Sequence, residues 1–432
     1  MSFDQLVTLA VLTGVVAALI WGKVRSDVVA LAGAAVLLAL GVIRPVEVQG
    51  AFASPAIIAL ASLFVIAYAM ELSGLLGALI RLATRLCRRL GALGLWIVIT
   101  LCGAASAFLN NTPIVVLGAP VVRDVAQSLN LSPKRFLIPL SYVTILGGAC
   151  TLIGTSTNLL VNDMARTAGQ AGFSIFEITP VGLIVAAAGG LYLFLVGARQ
   201  LSRASEGAAP APTPADLRDD GDELGDASMF KDVPLAAGRA ATSLLVFIGV
   251  VTVAALGYAP IAASAFSGAV LLILLRVISP DQAYRGLRPE ILLLIAGMVV
   301  VGLSLEVTGL AALATEGLVD VIRPLGPLGA LILLYGLTLF ATEILSNAAV
   351  AVLLTPIAVA LAESLGVSPR PFLVGVMMAA SAAFATPFGY QTNVLVFQMG
   401  GYSYMDFVRV GVPLNLLTWA VTVDAIPLFL PF

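Results

Sequence analysis

Four short polar clusters interrupt an otherwise apolar chain, and their residue types are those that bind small ions. The clusters are Ser106 with Asn110-Asn111-Thr112, Gly154-Thr-Ser-Thr-Asn158, Thr342 with Ser346-Asn347, and Gly389-Tyr-Gln-Thr-Asn393. Hydroxyl, amide and unpaired carbonyl oxygens suit a hard cation such as Na⁺, and the unpaired N–H groups that begin a helix suit an anion. Asn, Ser and Thr also cap helices and join them by hydrogen bonds, so for a single Ser or Thr this structural role is an equal alternative.

The two halves of the chain resemble each other. Glu71-Leu-Ser-Gly-Leu is matched by Glu306-Val-Thr-Gly-Leu, SLNLSPKRFL at 128–137 by SLGVSPRPFL at 364–373, and Asn158-Leu-Leu-Val by Asn393-Val-Leu-Val. The offset is 235 or 236 residues in all three matches, which indicates an internal duplication. Asn111 and Asn347 stand at the same place in both halves, and this favours a binding role over a capping role for them.

Composition predicts a polytopic α-helical membrane protein. Hydrophobic residues make up 60% of the 432 residues and charged residues only 11%, and the mean hydropathy is +1.07. The apolar runs are long and do not alternate with polar residues, and a helix that spans lipid satisfies its own backbone. The chain has no His, which excludes histidine proton relays, and its three Cys are scattered at Cys87, Cys102 and Cys150.

The elements that position the clusters form two repeats joined by a linker. We predict a first repeat at 1–203 with a hairpin at 92–124 and a broken helix at 136–161, an acidic, Pro-rich linker at 204–233, and a second repeat at 234–432 with a hairpin at 325–362 and a broken helix at 372–398. The stretch 92–122 would be about 46 Å long as one helix, longer than the ~30 Å hydrocarbon core. Asn110 to Pro113 interrupt it, and the arm after them is too short to cross.

Basic residues orient the repeats. Arg88, Arg89 and Arg123 flank the stretch 92–122, so it should enter and leave on one side as a re-entrant hairpin. Each half then crosses five times, and an odd number of crossings inverts the second repeat. With both termini outside and the linker in the cytoplasm, only Arg44, Arg166, Arg323 and Arg370 of the 22 Lys and Arg lie outside, in keeping with the positive-inside rule.

Acidic residues fall inside the predicted spans at Glu71, Glu306, Glu343 and Asp424. A carboxylate inside a bilayer is costly and is a functional candidate for that reason. A structural or interfacial role and a role in proton or cation coupling are both compatible with Glu71 and Glu306. No Lys or Arg lies near either hairpin tip, so an anion there would be held by helix termini, hydroxyls, amides and bound cations.

The paired motifs resemble the divalent anion/sodium symporter family, within the ion-transporter superfamily with the citrate-transporter-like fold. That family has Ser-Asn-Thr at each hairpin tip and a Gly-Thr-Pro-Pro-Asn-like loop in each broken helix. Asn110-Asn111-Thr112-Pro113, CTLIGTSTN at 150–158 and GYQTN at 389–393 are most similar to its sulfate-permease-like branch. The resemblance covers nearly the whole chain, and it implies a scaffold domain that dimerises and an elevator-type transport domain.

The resemblance also implies ligands. One Na⁺ would lie between Ser106, Asn111 and the loop of Gly154 and Asn158, and a second between Thr342, Asn347 and the loop of Gly389 and Asn393. The anion would contact residues of both tips and both loops: Asn110, Asn111, Thr112, Thr155, Ser346, Asn347 and Tyr390. The family's tip serine is replaced by Asn110 and its tip threonine by Ala348, and the lost hydroxyl favours a small dianion such as sulfate over a dicarboxylate.

We therefore expect a Na⁺-driven symporter of the inner (plasma) membrane, with sulfate as substrate. The expected partners are a small anion, membrane lipid and a second copy of the chain, and no nucleic acid is expected. Na⁺ is expected as the coupling ion, and no cofactor is expected. Alternatives are a C4-dicarboxylate or citrate carrier and an arsenite or oxyanion permease, with H⁺ as another coupling ion. An ion channel is less favoured, and an integral-membrane enzyme is least favoured because no nucleophile with a base and no paired carboxylates are present.

Overall fold

The computed structural model describes residues 1–21, 23–75, 77–78, 90–197, 200–201, 234–311, 313 and 325–432, and the structural statements here concern those residues. Cys87, Arg88, Arg89 and the predicted linker lie outside them. The described residues form helices and no strands, and the chain is an all-α protein as predicted.

The described residues of the first half form nine α-helices. They are α1 (Phe3–Trp21), α2 (Ser26–Ala39), α3 (Pro45–Phe52), α4 (Pro55–Leu72), α5 (Ala92–Ser106), α6 (Asn111–Ser128), α7 (Lys134–Gly148), α8 (Ser156–Thr167) and α9 (Thr179–Tyr192). A π-helical turn at Leu193–Gly197 continues α9.

Helices of the second half repeat this order. They are α10 (Ala237–Ala255), α11 (Ile261–Leu274), α12 (Pro280–Gly286), α13 (Pro289–Val307), α14 (Gly326–Thr342), α15 (Asn347–Leu365), α16 (Arg370–Ser381), α17 (Gln391–Gly400) and α18 (Tyr404–Phe429). The short helices α3 and α12 were not predicted. Each begins with a proline that follows an N-cap residue, a favoured helix start.

Six stretches of the described residues are long and apolar enough to span a membrane. They are Pro45–Leu72, Thr179–Gly197, Ala237–Ala255, Pro289–Val307, Asn347–Leu365 and Tyr404–Phe429. Shorter apolar helices, among them α2, α5, α11, α14 and α16, accompany them. One of the six, Asn347–Leu365, is the second arm of the hairpin predicted at 325–362, so length and apolar composition alone would not separate such an arm from a crossing helix.

Both predicted hairpins are pairs of helices in contact, α5 with α6 and α14 with α15. Each second arm starts at an N-cap: the Asn110 side chain accepts a hydrogen bond from Thr112 N at 3.2 Å, and Ser346 Oγ accepts one from Ala349 N at 3.3 Å. The second arms are longer than predicted, since α6 reaches Ser128 and α15 reaches Leu365. Arm length therefore does not by itself distinguish a hairpin from two crossings.

Contacts between helices occur in reciprocal pairs. Helix α2 packs on α13 and α11 on α4, while α6 packs on α17 and α15 on α8. Helices α5 and α7 pack as α14 and α16 do, and the equivalent helices α9 and α18 pack on each other. Two similar repeats related by a two-fold axis produce this reciprocity; the inversion of the repeats across the membrane stays a prediction.

Candidate functional site

Both hairpin tips and both broken-helix loops meet at one cavity of about 310 Å³. Its lining includes residues 110–112 and 346–348 from the tips and 154–157 and 388–391 from the loops, together with Glu343. Ile291 and Leu294 of α13 complete the wall. The tertiary structure thus brings together four segments that are separated by up to 281 residues along the chain.

Four helix N-termini converge on this cavity. Helix α6 begins there after Asn110, α8 after Thr155, α15 after Ser346 and α17 after Tyr390, and all four residues line the cavity. The first N–H groups of a helix have no partner within it and carry partial positive charge. Among the described residues no Lys or Arg lines the cavity, and Glu343 is the one charged side chain in its lining. Uncharged donors therefore supply the electrostatic attraction for an anion.

The first hairpin tip is hydrogen-bonded to the loop of the other half. Asn111 is 2% exposed, its Oδ1 accepts a hydrogen bond from Ser106 Oγ, and its Nδ2 donates to the Tyr390 hydroxyl at 2.8 Å. Thr112 Oγ1 donates to Gln391 Oε1 at 3.2 Å. These two bonds leave the Tyr390 O–H and the Gln391 amide N–H groups as donors next to the cavity.

Oxygen atoms crowd around the glycines of the first loop. A Cβ atom on Gly154 would lie less than 3.0 Å from the carbonyl oxygens of Gly148, Ala107 and Ser106, and one on Gly148 would lie 2.7 Å from Asn111 Oδ1. Asn158 is fully buried, and its Oδ1 has no hydrogen-bond partner. The absence of side chains on the two glycines leaves a small space surrounded by oxygens, the ligand set of a hard cation.

The second loop has the same hydrogen bonds as the first. Gly154 N donates to Thr151 Oγ1 at 3.1 Å and Asn158 Nδ2 to the Thr151 carbonyl at 2.9 Å. In the second loop, Gly389 N donates to Thr386 Oγ1 at 3.0 Å and Asn393 Nδ2 donates to the Thr386 carbonyl at 3.2 Å.

The hairpin tips match each other as well, because Thr342 Oγ1 donates to Asn347 Oδ1 at 2.8 Å as Ser106 does to Asn111. The second cluster differs from the first in the hydrogen bonding of its loop asparagine. Asn393 Oδ1 accepts a hydrogen bond from Ser141 Oγ of α7 at 2.7 Å. Met377, which has no donor, stands 236 residues after Ser141. The two clusters therefore share the hydrogen bonds of their loops and tips, but they differ in the side chains around them.

All the predicted site residues lie in or directly behind the cavity. Those that line it are Asn110, Asn111, Thr112, Gly154, Thr155, Ser346, Asn347, Gly389 and Tyr390. Ser106, Asn158, Thr342 and Asn393 are buried behind them. Sequence reasoning placed Gln391 in the second loop but left it out of the site residues, and it assigned Glu343 no role, although a carboxylate within an apolar stretch was a signal.

Comparison with known proteins identifies the family. The citrate transporter (CitMHS) family model matches residues 16–366. An uncharacterized transporter of Synechocystis is 26% identical over 96% of this chain and 95% of its own length. The sodium-dependent dicarboxylate transporter of Staphylococcus saprophyticus is 25% identical over 92% of this chain and 80% of its own length.

A sodium/sulfate cotransporter of Chlamydomonas reinhardtii is 34% identical over a shorter region, 34% of this chain and 17% of its own length. Among solved structures, the YdaH transporter of Alcanivorax borkumensis has a TM-score of 0.63 at 15% identity, over 96% of this chain and 98% of its own. The family and the relatives are membrane transporters and not enzymes. The chain accordingly belongs to the citrate transporter family and is a polytopic membrane transporter related to sodium/sulfate and dicarboxylate carriers.

Proposed function

We propose that the protein is a Na⁺-coupled symporter of a small divalent anion, with sulfate as the first substrate. The observation that carries this proposal is the convergence of four helix N-termini on a cavity without Lys or Arg. A dianion there is stabilised by backbone N–H groups, hydroxyls and amides, and bound cations offset the rest of its charge. The relatives include sodium/sulfate cotransporters, which supports both the anion and the coupling ion.

Two oxygen-rich clusters support Na⁺ as the coupling ion. In the first, Ser106, Asn111, Gly154 and Asn158 surround the space beside the glycines, and the unpaired Asn158 Oδ1 is free to coordinate a cation. In the second, the corresponding residues are Thr342, Asn347, Gly389 and Asn393. Because each cluster includes the asparagine of a tip, cation binding would also position that tip for the anion.

Tyr390 and Gln391 favour sulfate over a dicarboxylate. Their bonds to Asn111 and Thr112 tie the first tip to the second loop, which keeps two large polar side chains in the cavity wall. Ala348 supplies no hydroxyl for a second carboxylate. A C4-dicarboxylate or citrate is the second candidate, favoured by the family description and by the dicarboxylate carrier among the relatives.

Asymmetric contacts support alternating access by an elevator movement. Helices α1–α4 and α10–α13 would form the scaffold of a homodimer, and α5–α9 with α14–α18 would form the transport domain. In the described residues α13 packs on α15 and α4 on α8 more extensively than the reciprocal pairs, α4 with α6 and α13 with α17, pack on each other. A second, oppositely facing state would form if the reciprocal pairs, α4 with α6 and α13 with α17, packed closely and the present pairs separated.

The proposed orientation places this state facing the cytoplasm. With outside termini and a cytoplasmic linker in the plasma membrane, the start of α13 is cytoplasmic. The cavity borders Ile291 and Leu294 in the first turns of that helix, so substrate would leave on that side.

Uptake of labelled sulfate into proteoliposomes tests the proposal. We expect an inward Na⁺ gradient to accelerate uptake at least about tenfold over an equal choline gradient, and excess unlabelled sulfate to suppress it. Competition by succinate, citrate and arsenite ranks the alternatives. Sulfate uptake that is indifferent to the Na⁺ gradient would reject the coupling, and suppression by succinate but not by sulfate would identify a dicarboxylate carrier.

Replacement of Tyr390 by phenylalanine tests the hydroxyl donor. The ring and its packing remain, but the cavity loses one donor and Asn111 Nδ2 loses its acceptor. A hydrogen bond of this kind contributes about 0.5–1.5 kcal/mol, so the KM for sulfate should rise by up to about tenfold. Tyr258→Phe is the matched control because Tyr258 is 82% exposed. A KM in the Tyr390 variant equal to that of the control would show that the hydroxyl does not contact substrate.

A further inference from the structure

We propose that Glu343 supplies a fixed negative charge to the second cation-binding cluster and positions the loop that completes it. Glu343 follows Thr342 at the end of α14 and lines the cavity. The proposal rests on the Na⁺-coupled function proposed above and adds a charged group that the paired motifs do not include, because the equivalent position in the first half is Ala107.

The carboxylate accepts three hydrogen bonds, all from one loop and the helix behind it. Oε1 accepts from Ala385 N at 2.8 Å and from Asn415 Nδ2 at 2.7 Å. Oε2 accepts from Thr386 Oγ1 at 2.9 Å. Thr386 in turn accepts the hydrogen bond of Gly389 N. Glu343 therefore holds the loop between α16 and α17 against the tip of the second hairpin.

Its hydrogen-bond partners match a carboxylate better than a carboxylic acid. Oε1 is faced by two N–H groups, which donate and cannot accept, and the third partner is a hydroxyl. The nearby titratable groups on other elements are the phenols of Tyr142 on α7 and Tyr390 on the second loop, and neither carries a positive charge. Among the described residues no Lys or Arg forms an ion pair with Glu343, so its carboxylate has only hydrogen-bond donors as partners there.

The carboxylate lies where it could coordinate a cation bound in the second cluster. A Cβ atom on Gly389 would lie 3.2 Å from Glu343 Oε2 and 2.9 Å from both Thr386 Oγ1 and the Ala383 methyl carbon, so two of the three nearest atoms are oxygens. The equivalent space at Gly154 in the first cluster is lined by three backbone carbonyl oxygens. The second cluster has a carboxylate oxygen in its place, so it should bind a cation more tightly than the first.

An uncompensated carboxylate would also repel the dianion. Two like charges a few ångströms apart in a partly buried site interact by several kcal/mol, whereas a cation between them is attracted to both. Occupation of the second cluster should therefore precede substrate binding, and Glu343 makes that order obligatory.

Glu343→Gln separates charge from position. Glutamine can place its carbonyl oxygen against Ala385 N and Asn415 Nδ2 and its amide against Thr386 Oγ1, so the loop contacts are retained while the charge is lost. We expect the Na⁺ concentration for half-maximal sulfate uptake to rise at least about tenfold. Glu343→Asp keeps the charge on a side chain that is one methylene group shorter. We expect a smaller rise in the Na⁺ concentration for half-maximal uptake in this variant.

Na⁺-dependent thermal stabilisation provides a readout that does not depend on transport. In detergent at constant ionic strength, exchange of choline for Na⁺ should raise the Tm of the wild-type protein, and the Gln variant should need about tenfold more Na⁺ for the same rise. Glu363→Gln is the matched control, because Glu363 is an exposed carboxylate near the end of α15 and does not line the cavity.

Two outcomes distinguish failure of this inference from failure of the function. A wild-type protein whose uptake and Tm ignore Na⁺ would reject the Na⁺-coupled function itself. If wild-type uptake needs Na⁺ but the Gln variant keeps the wild-type Na⁺ dependence in both assays, Glu343 carries no charge for the second cluster and the inference is overturned. A Gln variant that loses only the pH dependence of uptake would also overturn it, in favour of a proton-binding role.

Discussion

Replacement of Asn111 by alanine should reduce sulfate uptake at least about a hundredfold while the helices stay folded. The side chain accepts from Ser106 Oγ and donates to the Tyr390 hydroxyl. Without it both hydroxyls lose a partner in a buried site, at a cost of about 1–3 kcal/mol each. The proposed first cation cluster loses one oxygen, and the first hairpin tip loses one of its ties to the second loop.

Asn347→Ala should give a similar loss, because Asn347 Oδ1 accepts from Thr342 Oγ1 at 2.8 Å in the equivalent place. Asn162→Ala is the control: Asn162 is also buried and bonded, to Phe173 N at 2.7 Å, but it lies outside the cavity. Tracer uptake with purified protein and a thermal melt for each variant provide the measurement. If Asn111→Ala transports as well as Asn162→Ala, the binding site is not at this tip.

Gly154→Ala should abolish Na⁺-dependent uptake. Its Cβ atom would meet the carbonyl oxygens of Gly148, Ala107 and Ser106 at less than 3.0 Å. Backbone atoms cannot rotate away as a side chain can, so the first loop must shift from the hairpin tip. The methyl group would also occupy the space proposed for the cation, and both effects act on the same step.

Gly190→Ala is the matched substitution, since a Cβ atom there meets nothing within 4 Å and alanine favours a helix. Uptake measured against Na⁺ concentration should show no Na⁺ activation for the Gly154 variant and wild-type activation for the Gly190 variant. Na⁺ activation that survives in the Gly154 variant would place the first cation elsewhere.

Local features of the sequence predicted the helix breaks well. Asn110 and Ser346 are strong N-cap residues within apolar runs, and the structure begins α6 and α15 directly after them. The same reasoning underestimates the lengths of α6 and α15, which extend past the predicted hairpin ends at 124 and 362 to Ser128 and Leu365. Helix α6 continues through Arg123, whose charge is tolerated near the helix end.

The pairing of residues from different halves could not be predicted. Tyr390 and Asn111 are 279 residues apart, and Ser141 and Asn393 are 252 apart. Comparison of the repeats predicts which residues are equivalent, but it does not show which repeat's loop approaches which tip. The three hydrogen bonds of Glu343 likewise depend on the packing of α14, α18 and the second loop.

The membrane class, the duplication and the polar residues of the four clusters can all be predicted from the sequence. These follow from hydropathy, from a constant offset and from capping residues, all of which act over a few neighbouring positions. Only the tertiary structure decided that four helix N-termini face one cavity and that Glu343 is the charged side chain lining it. The reason is physical: helix N-termini attract an anion together only when packing between the two halves points them at the same space.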